Sequence, residues 1–178
     1  MDAGKIYFDM DGVLADFDRG VKELCGMEPQ SQNGKRSQTR DDAMWEKIRT
    51  IDHFYDKLEP MPGAKELFDT VYRQYGDRCE ILTGIPKPRR GIFTAGEDKI
   101  HWVRRVLSKD VKVNIVYREE KPQYCKGRID ILIDDAAENI RQWEEIGGTG
   151  ILHTGAEDTT NVLRERGYLA DEKDGTTE

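Results

Sequence analysis

Five short apolar runs, separated by stretches of helical period, constrain this chain more than any other feature. Lys5-Ile6-Tyr7-Phe8, Cys79-Glu80-Ile81-Leu82-Thr83, Val111 to Tyr117, Ile129 to Ile133 and Gly150 to His153 have the length and residue types of buried strands. Between them, Ala64, Leu67, Phe68, Val71 and Tyr72 recur at helix spacing, as do Ile100, Val103, Val106 and Leu107. Ile140 and Trp143 mark a further helix, and Val162-Leu163 a last one closed by Gly167. Strands alternating with helices imply right-handed crossovers and a parallel sheet covered on both faces.

The expected class is therefore α/β, a Rossmann-like parallel sheet of about five strands flanked by helices. The stretch from Asp18 to Pro60 fits poorly as a plain crossover and reads as a small helical cap inserted after the first strand. Phe17, Val21, Leu24 and Cys25 open it on one helix face, and Met44, Trp45, Ile48 and Ile51 form a second. Glu28 to Arg40 holds no large apolar residue and reads as a mobile loop. The Pro60-Met61-Pro62-Gly63 breaker returns the chain to the core. The division is thus 1–17 and 61–169 for the core, 18–60 for the cap, and a charged tail, 170–178, that is expected to fray.

Composition narrows the partners. The 178 residues suit one domain with a modest insertion, and the formal charge of −7 argues against a broad grip on a nucleic acid polymer. A phosphorylated small molecule stays open, since a bound divalent cation reverses the local field. Cys25, Cys79 and Cys125 form no CxxC pair, so free thiols and a cytoplasmic setting are expected. No signal peptide is expected from the residues ahead of the first strand, and no apolar stretch approaches the length of a membrane span.

Open parallel sheets bind ligands at the carboxyl ends of their strands, so those ends are where chemistry is to be sought. The first strand runs into Asp9-Met10-Asp11-Gly12 and the second into Thr83-Gly84. The third is followed by Arg118-Glu119-Glu120-Lys121 and the fourth by Asp134-Asp135. Four carboxylates on one rim repel each other, and a hard divalent cation such as Mg²⁺ relieves that. With a hydroxyl and a fixed ammonium beside them, the set has the parts that phosphoryl transfer needs. An EF-hand fits poorly, because Gly12 falls at position four from Asp9 and not at position six.

The segments Asp9-Met10-Asp11-Gly12-Val13-Leu14-Ala15-Asp16-Phe17, Ile81-Leu82-Thr83-Gly84, Lys121 and Ile131-Leu132-Ile133-Asp134-Asp135 resemble, in order, the four motifs of the haloacid dehalogenase-like phosphatases. The extended first motif, the small insertion and Pro60 to Ala64 are most similar to the 5′(3′)-deoxyribonucleotidase branch. The resemblance implies a Mg²⁺-dependent phosphomonoester hydrolase, most like a 5′-nucleotidase acting on (deoxy)nucleoside monophosphates. It makes Asp9 the nucleophile that forms an aspartyl-phosphate and Asp11 the acid and base. Thr83 and Lys121 would hold phosphoryl oxygens. The metal set would be Asp9, Asp11 through its carbonyl, Asp134 and, through water or a supporting contact, Asp135. Lys99 would reach the phosphate from its helix, and Phe17 and Trp45 would offer an aromatic pocket to a base. A homodimer is an open expectation.

Two departures bear on the substrate. Gly84 stands where the branch often carries a small or hydroxyl residue, so a side-chain contact is lost, and the Glu28–Arg40 loop matches no substrate-binding role. Phe17 and Trp45 also lie on apolar helix faces, where core packing competes with base stacking. Asp134-Asp135 would serve equally as a helix cap, and Lys99 and Lys126 rival Lys121. The basic run Pro86 to Arg90 reads as a solvated loop, with attraction of an anionic substrate as the sharper alternative. A sugar phosphatase, or a binding module on the same fold without catalysis, remains the competing reading.

Overall fold

The computed structural model describes residues 4–171. Five parallel strands, β1 (Ile6–Phe8), β2 (Cys79–Gly84), β3 (Lys112–Val116), β4 (Ile131–Asp134) and β5 (Thr149–Leu152), form one sheet in the order β3-β2-β1-β4-β5. β1 lies at the centre, paired with β2 through Phe8 and Ile81 and with β4 through Phe8 and Ile133. The strand order reverses on either side of β1, so its carboxyl end opens into the crevice where such sheets bind ligands.

Alternation along the strands builds two apolar layers. Ile6, Phe8, Ile81, Ile131 and Ile133 face one side, where α3 (Ala64–Tyr75), α4 (Ala95–Val106) and α6 (Ala156–Glu165) pack Leu67, Phe68, Val71, Trp102, Val103 and Leu163 against them. Tyr7, Leu82 and Leu132 face the other, under Ile140 and Trp143 of α5 (Ala137–Glu145). The period of two in the pleat is what sends neighbours in sequence to opposite layers.

The fourth strand begins two residues later than its apolar run suggests. Asp130 is the reason: its carboxylate accepts the Lys5 and Lys126 N–H groups at 2.9 and 2.7 Å, which fixes a turn there and leaves Ile129 57% exposed outside the sheet. At the chain's far end α6 closes through Gly167, whose φ of +75° lets the Tyr168 and Leu169 N–H groups reach back to the Leu163 carbonyl. Ala170 is tied to Gln74 at 2.8 Å, and the rest of the expected tail, 172–178, lies outside the described residues.

Between β1 and α3 come α1 (Phe17–Cys25), α2 (Gln38–Arg49) and a 3₁₀ turn, Phe54–Lys57. The chain leaves the core and rejoins it side by side: Asp16 N–H donates to the Glu59 carbonyl at 2.7 Å, and Met61 N–H to the Leu14 carbonyl at 2.8 Å. The polar stretch from Glu28 is not a bare loop as its composition suggested. Its last three residues start α2 behind the Ser37 cap. The residues before them are cross-linked by Arg36, which binds Asp41 through two nitrogens and donates to the Gln30 and Ser31 carbonyls at 3.2 Å. A stretch with nothing apolar to bury has used polar pairs in its place. Among the described residues no helix is long and apolar enough to cross a membrane.

Candidate active site

The turn after β1 is shaped by its backbone. The Met10 carbonyl accepts the N–H groups of Val13, Leu14 and Ala15, and Gly12 sits at φ +80°. Asp135 lies so close that a Cβ at Gly12 would run into its carboxylate. Glycine is therefore required twice over there, for the left-handed backbone and for the approach of the fourth strand's carboxylate.

Asp9, Asp134 and Asp135 converge, with one oxygen from each within 4.8 Å of the others. Lys121, buried in the 3₁₀ segment Arg118–Tyr124, donates to Asp9 and to Asp134, both at 2.8 Å. Asn139, one turn into α5, donates to the same Asp134 oxygen at 2.9 Å, and the Ala136 N–H donates to the other. Lys99 is fully buried and lies across the site from Lys121. Its ammonium donates to Asp11 at 2.7 Å, to the Thr83 hydroxyl at 2.9 Å and to the Gly84 carbonyl at 2.7 Å, with the Tyr55 ring centroid 4.6 Å away.

The electrostatics leave a vacancy of charge, not of packing. Burial alone would lower the Lys121 ammonium, but its ion pairs with Asp9 and Asp134 outweigh that and hold it above its ordinary value. Burial raises the Asp134 carboxyl, and Asp9 adds to this against the pull of Lys121. Asp135 is pushed up to about 9, by burial first and then by Asp9, Asp134 and Asp11. Four carboxylates thus face two ammonium groups, a formal surplus of two negative charges. One buried oxygen, Oδ1 of Asp11, also has no protein partner. A hard dication with oxygen ligands fits both the charge and the donor set. Asp9, Asp134 and Asp135 are the side chains placed to hold it. The Asp11 carboxylate is turned to Lys99 and lies outside that triad.

Above the carboxylates opens a cavity of about 450 Å³, in the size range of small-molecule sites. Asp9, Asp11, Gly84 and Lys121 form part of its floor. Phe17, Trp45 and Tyr55 form part of its roof, their rings tilted against one another with Phe17–Trp45 and Phe17–Tyr55 centroids 6.1 and 6.2 Å apart. Phe17 and Trp45 pack against the core and also line the cavity.

Every expected site residue comes to this one rim or its roof, with Lys99 more deeply committed than its sequence position indicates. Lys126 does not belong there; its exposed ammonium caps the Gln123 carbonyl. In the basic run, Lys87 pairs with Glu119 and Arg90 with Asp42 on α2 at 2.7 Å, so both charges are spent on loop contacts. Sequence reasoning missed Tyr55, Asn139, Arg118 and Asn33. Asn139 stands in the first turn of α5, five residues after the Asp134 that it binds, so its only signal was closeness to that motif. Arg118 donates to the Asn139 carbonyl oxygen at 2.7 Å, which orients its amide toward Asp134.

Comparison with known proteins bears on the family and the fold. A Vibrio phage KVP40 protein, provisionally named a 5′(3′)-deoxyribonucleotidase, is 28% identical over 134 residues, covering 75% of this chain and 67% of that protein. A dehalogenase solved with an intermediate complex superposes with a TM-score of 0.52 at 13% identity, covering 83% of each chain. A HAD family enzyme from Bacteroides thetaiotaomicron does so with a TM-score of 0.51 at 14% identity, covering 92% of this chain and 100% of that one. At such identities these two structures speak for the fold alone. The profile of one family, described as 5′ nucleotidase, deoxy (Pyrimidine), cytosolic type C protein, matches residues 4–167. The chain belongs to that family and is a phosphoric monoester hydrolase of the 5′-nucleotidase kind.

Proposed function

We propose that the protein is a Mg²⁺-dependent phosphatase of nucleoside monophosphates, working through an aspartyl-phosphate on Asp9. The observation that carries this is the pairing of two lysines with two different carboxylates around one cavity. Lys121 holds Asp9 together with Asp134, and Lys99 holds Asp11, so the two aspartates of the first turn stand in different surroundings, which supports giving them different roles. When bound, Mg²⁺ would neutralise the surplus charge of Asp9, Asp134 and Asp135 and stabilise negative charge on the phosphoryl group.

The remaining roles fall to the chain's own groups. An Asp9 oxygen attacks phosphorus, and the ester bond to the leaving alcohol breaks. Asp11, whose Oδ1 has no protein partner, gives that alcohol its proton and then takes one from the water that cleaves the acyl phosphate. Lys99 and the Thr83 hydroxyl, 2.9 Å apart, lie beneath Asp11 and Gly84 of the cavity floor, and in this reading they would stabilise a phosphoryl oxygen. Phe17 and Trp45, both half-buried and lining the cavity, offer faces on which a base stacks.

The test is release of phosphate from a panel of nucleoside monophosphates and sugar phosphates, with and without Mg²⁺. Turnover is expected for nucleotides, with Mg²⁺ required. Equal turnover of sugar phosphates lacking a base would sink the nucleotide assignment.

A further inference from the structure

The polar loop ahead of α2 touches the carboxylate turn through one side chain. Asn33 donates from Nδ2 to the Asp135 carbonyl at 2.7 Å and accepts the Ala137 N–H on Oδ1 at 2.8 Å. A carbonyl on one side and an N–H on the other fix which end of the amide points where. Ala137 opens α5, and its N–H is one of the helix's orphan donors, so no partner within the helix competes for it. The same turn is held from inside by the Ala136 N–H on Asp134 Oδ1.

The loop is equally fixed behind Asn33. Gln30 donates to Asp41 at 2.7 Å and accepts the Ser37 N–H at 2.8 Å, while Arg36 ties Asp41 to the Gln30 and Ser31 carbonyls. Gln30, Arg36 and Asp41 all line the cavity, yet their polar atoms are occupied by one another. They make the loop a stiff wall, and Asn33 is the clasp that fastens it to the turn.

We propose that Asn33 is a positioning residue that couples closure of this loop to cation binding at Asp9, Asp134 and Asp135. It holds the backbone from which Asp135 and Asp134 project, so a closed loop presents the carboxylates in one geometry. Coupling is reciprocal: a cation that fixes the turn also favours the closed loop. The proposal rests on the cation reading given above and not on the identity of the substrate.

The test uses the full chain as wild type, Asn33→Ala and a neighbouring control, Ser31→Ala, with Mg²⁺ as the only added ligand. Mg²⁺ affinity is measured by calorimetry, and trypsin cleavage after Lys35 and Arg36 is followed with and without Mg²⁺. Two exposed hydrogen bonds predict a loss of about three- to tenfold in Mg²⁺ affinity for Asn33→Ala. Mg²⁺ is expected to slow cleavage of the loop in wild type and Ser31→Ala, and to leave Asn33→Ala unprotected. Equal affinity and equal protection in Asn33→Ala overturn the clasp, even if nucleotides are turned over. A wild type that binds no Mg²⁺ overturns the clasp and the cation site together, whereas failure on nucleotides alone leaves both standing.

Discussion

The rim at the strand ends and the roof supplied by the insertion are built from different materials. The most buried groups of the rim are held by several partners each: Asp134 is fully buried with three donors on it, and Lys99 with three acceptors around it. The roof is half-exposed, its aromatic faces partly turned to the cavity and its polar residues bound mostly to each other. A group held on all sides by rigid strands suits chemistry that is sensitive to small misplacement. A cavity wall that lies outside the strands suits recognition, where shape can vary while the chemistry stays fixed.

The largest effect that separates them belongs to the rim. Asp9→Asn removes the nucleophile and is expected to cut kcat by at least about a thousandfold, with the fold retained by circular dichroism. Appreciable turnover by that variant would remove Asp9 from its role. Next comes Lys99→Met. It deletes a buried donor to Asp11 and Thr83, so kcat should fall about a hundredfold or more with a smaller change in KM. A rise in KM alone would move Lys99 out of the chemistry and into plain binding. Smallest is Trp45→Ala in the roof. Loss of one stacking face, about 1–3 kcal/mol in comparable base contacts, predicts a KM for nucleotides raised roughly tenfold with kcat nearly unchanged. If Trp45→Ala lowered kcat as Lys99→Met does, the distinction between rim and roof would fail.

The two regions also differed in how far the sequence disclosed them. The five strands were readable because Ile6 to Phe8, Ile81-Leu82 and Ile131 to Ile133 are buried on both faces, which leaves continuous apolar runs. Asp9, Asp11, Thr83 and Asp134 follow such runs directly, so the topology alone brings them together. Lys99 was harder to see. It lies inside a helix with Asp98 and Ile100, and nothing local shows that its side chain turns inward beneath Tyr55. Asn33 was harder still. Its partners are backbone groups more than a hundred residues away, and backbone carries no residue identity for a pattern to display. Polar loops are read poorly for this general reason: their order comes from long-range hydrogen bonds, not from periodicity.

The doorway through which the insertion leaves and rejoins the core, Leu14-Ala15-Asp16 beside Glu59-Pro60-Met61, has a consequence for descent. Because both limbs cross the same pair of hydrogen bonds, the segment between them can change in length or sequence without altering the register of β1 against β2 and β4. The turn from Asp9 to Gly12 lies on the core side of that doorway. Selection can thus redraft the parts of the roof that touch neither the carboxylate turn nor the core, while the strand register beneath them is inherited intact.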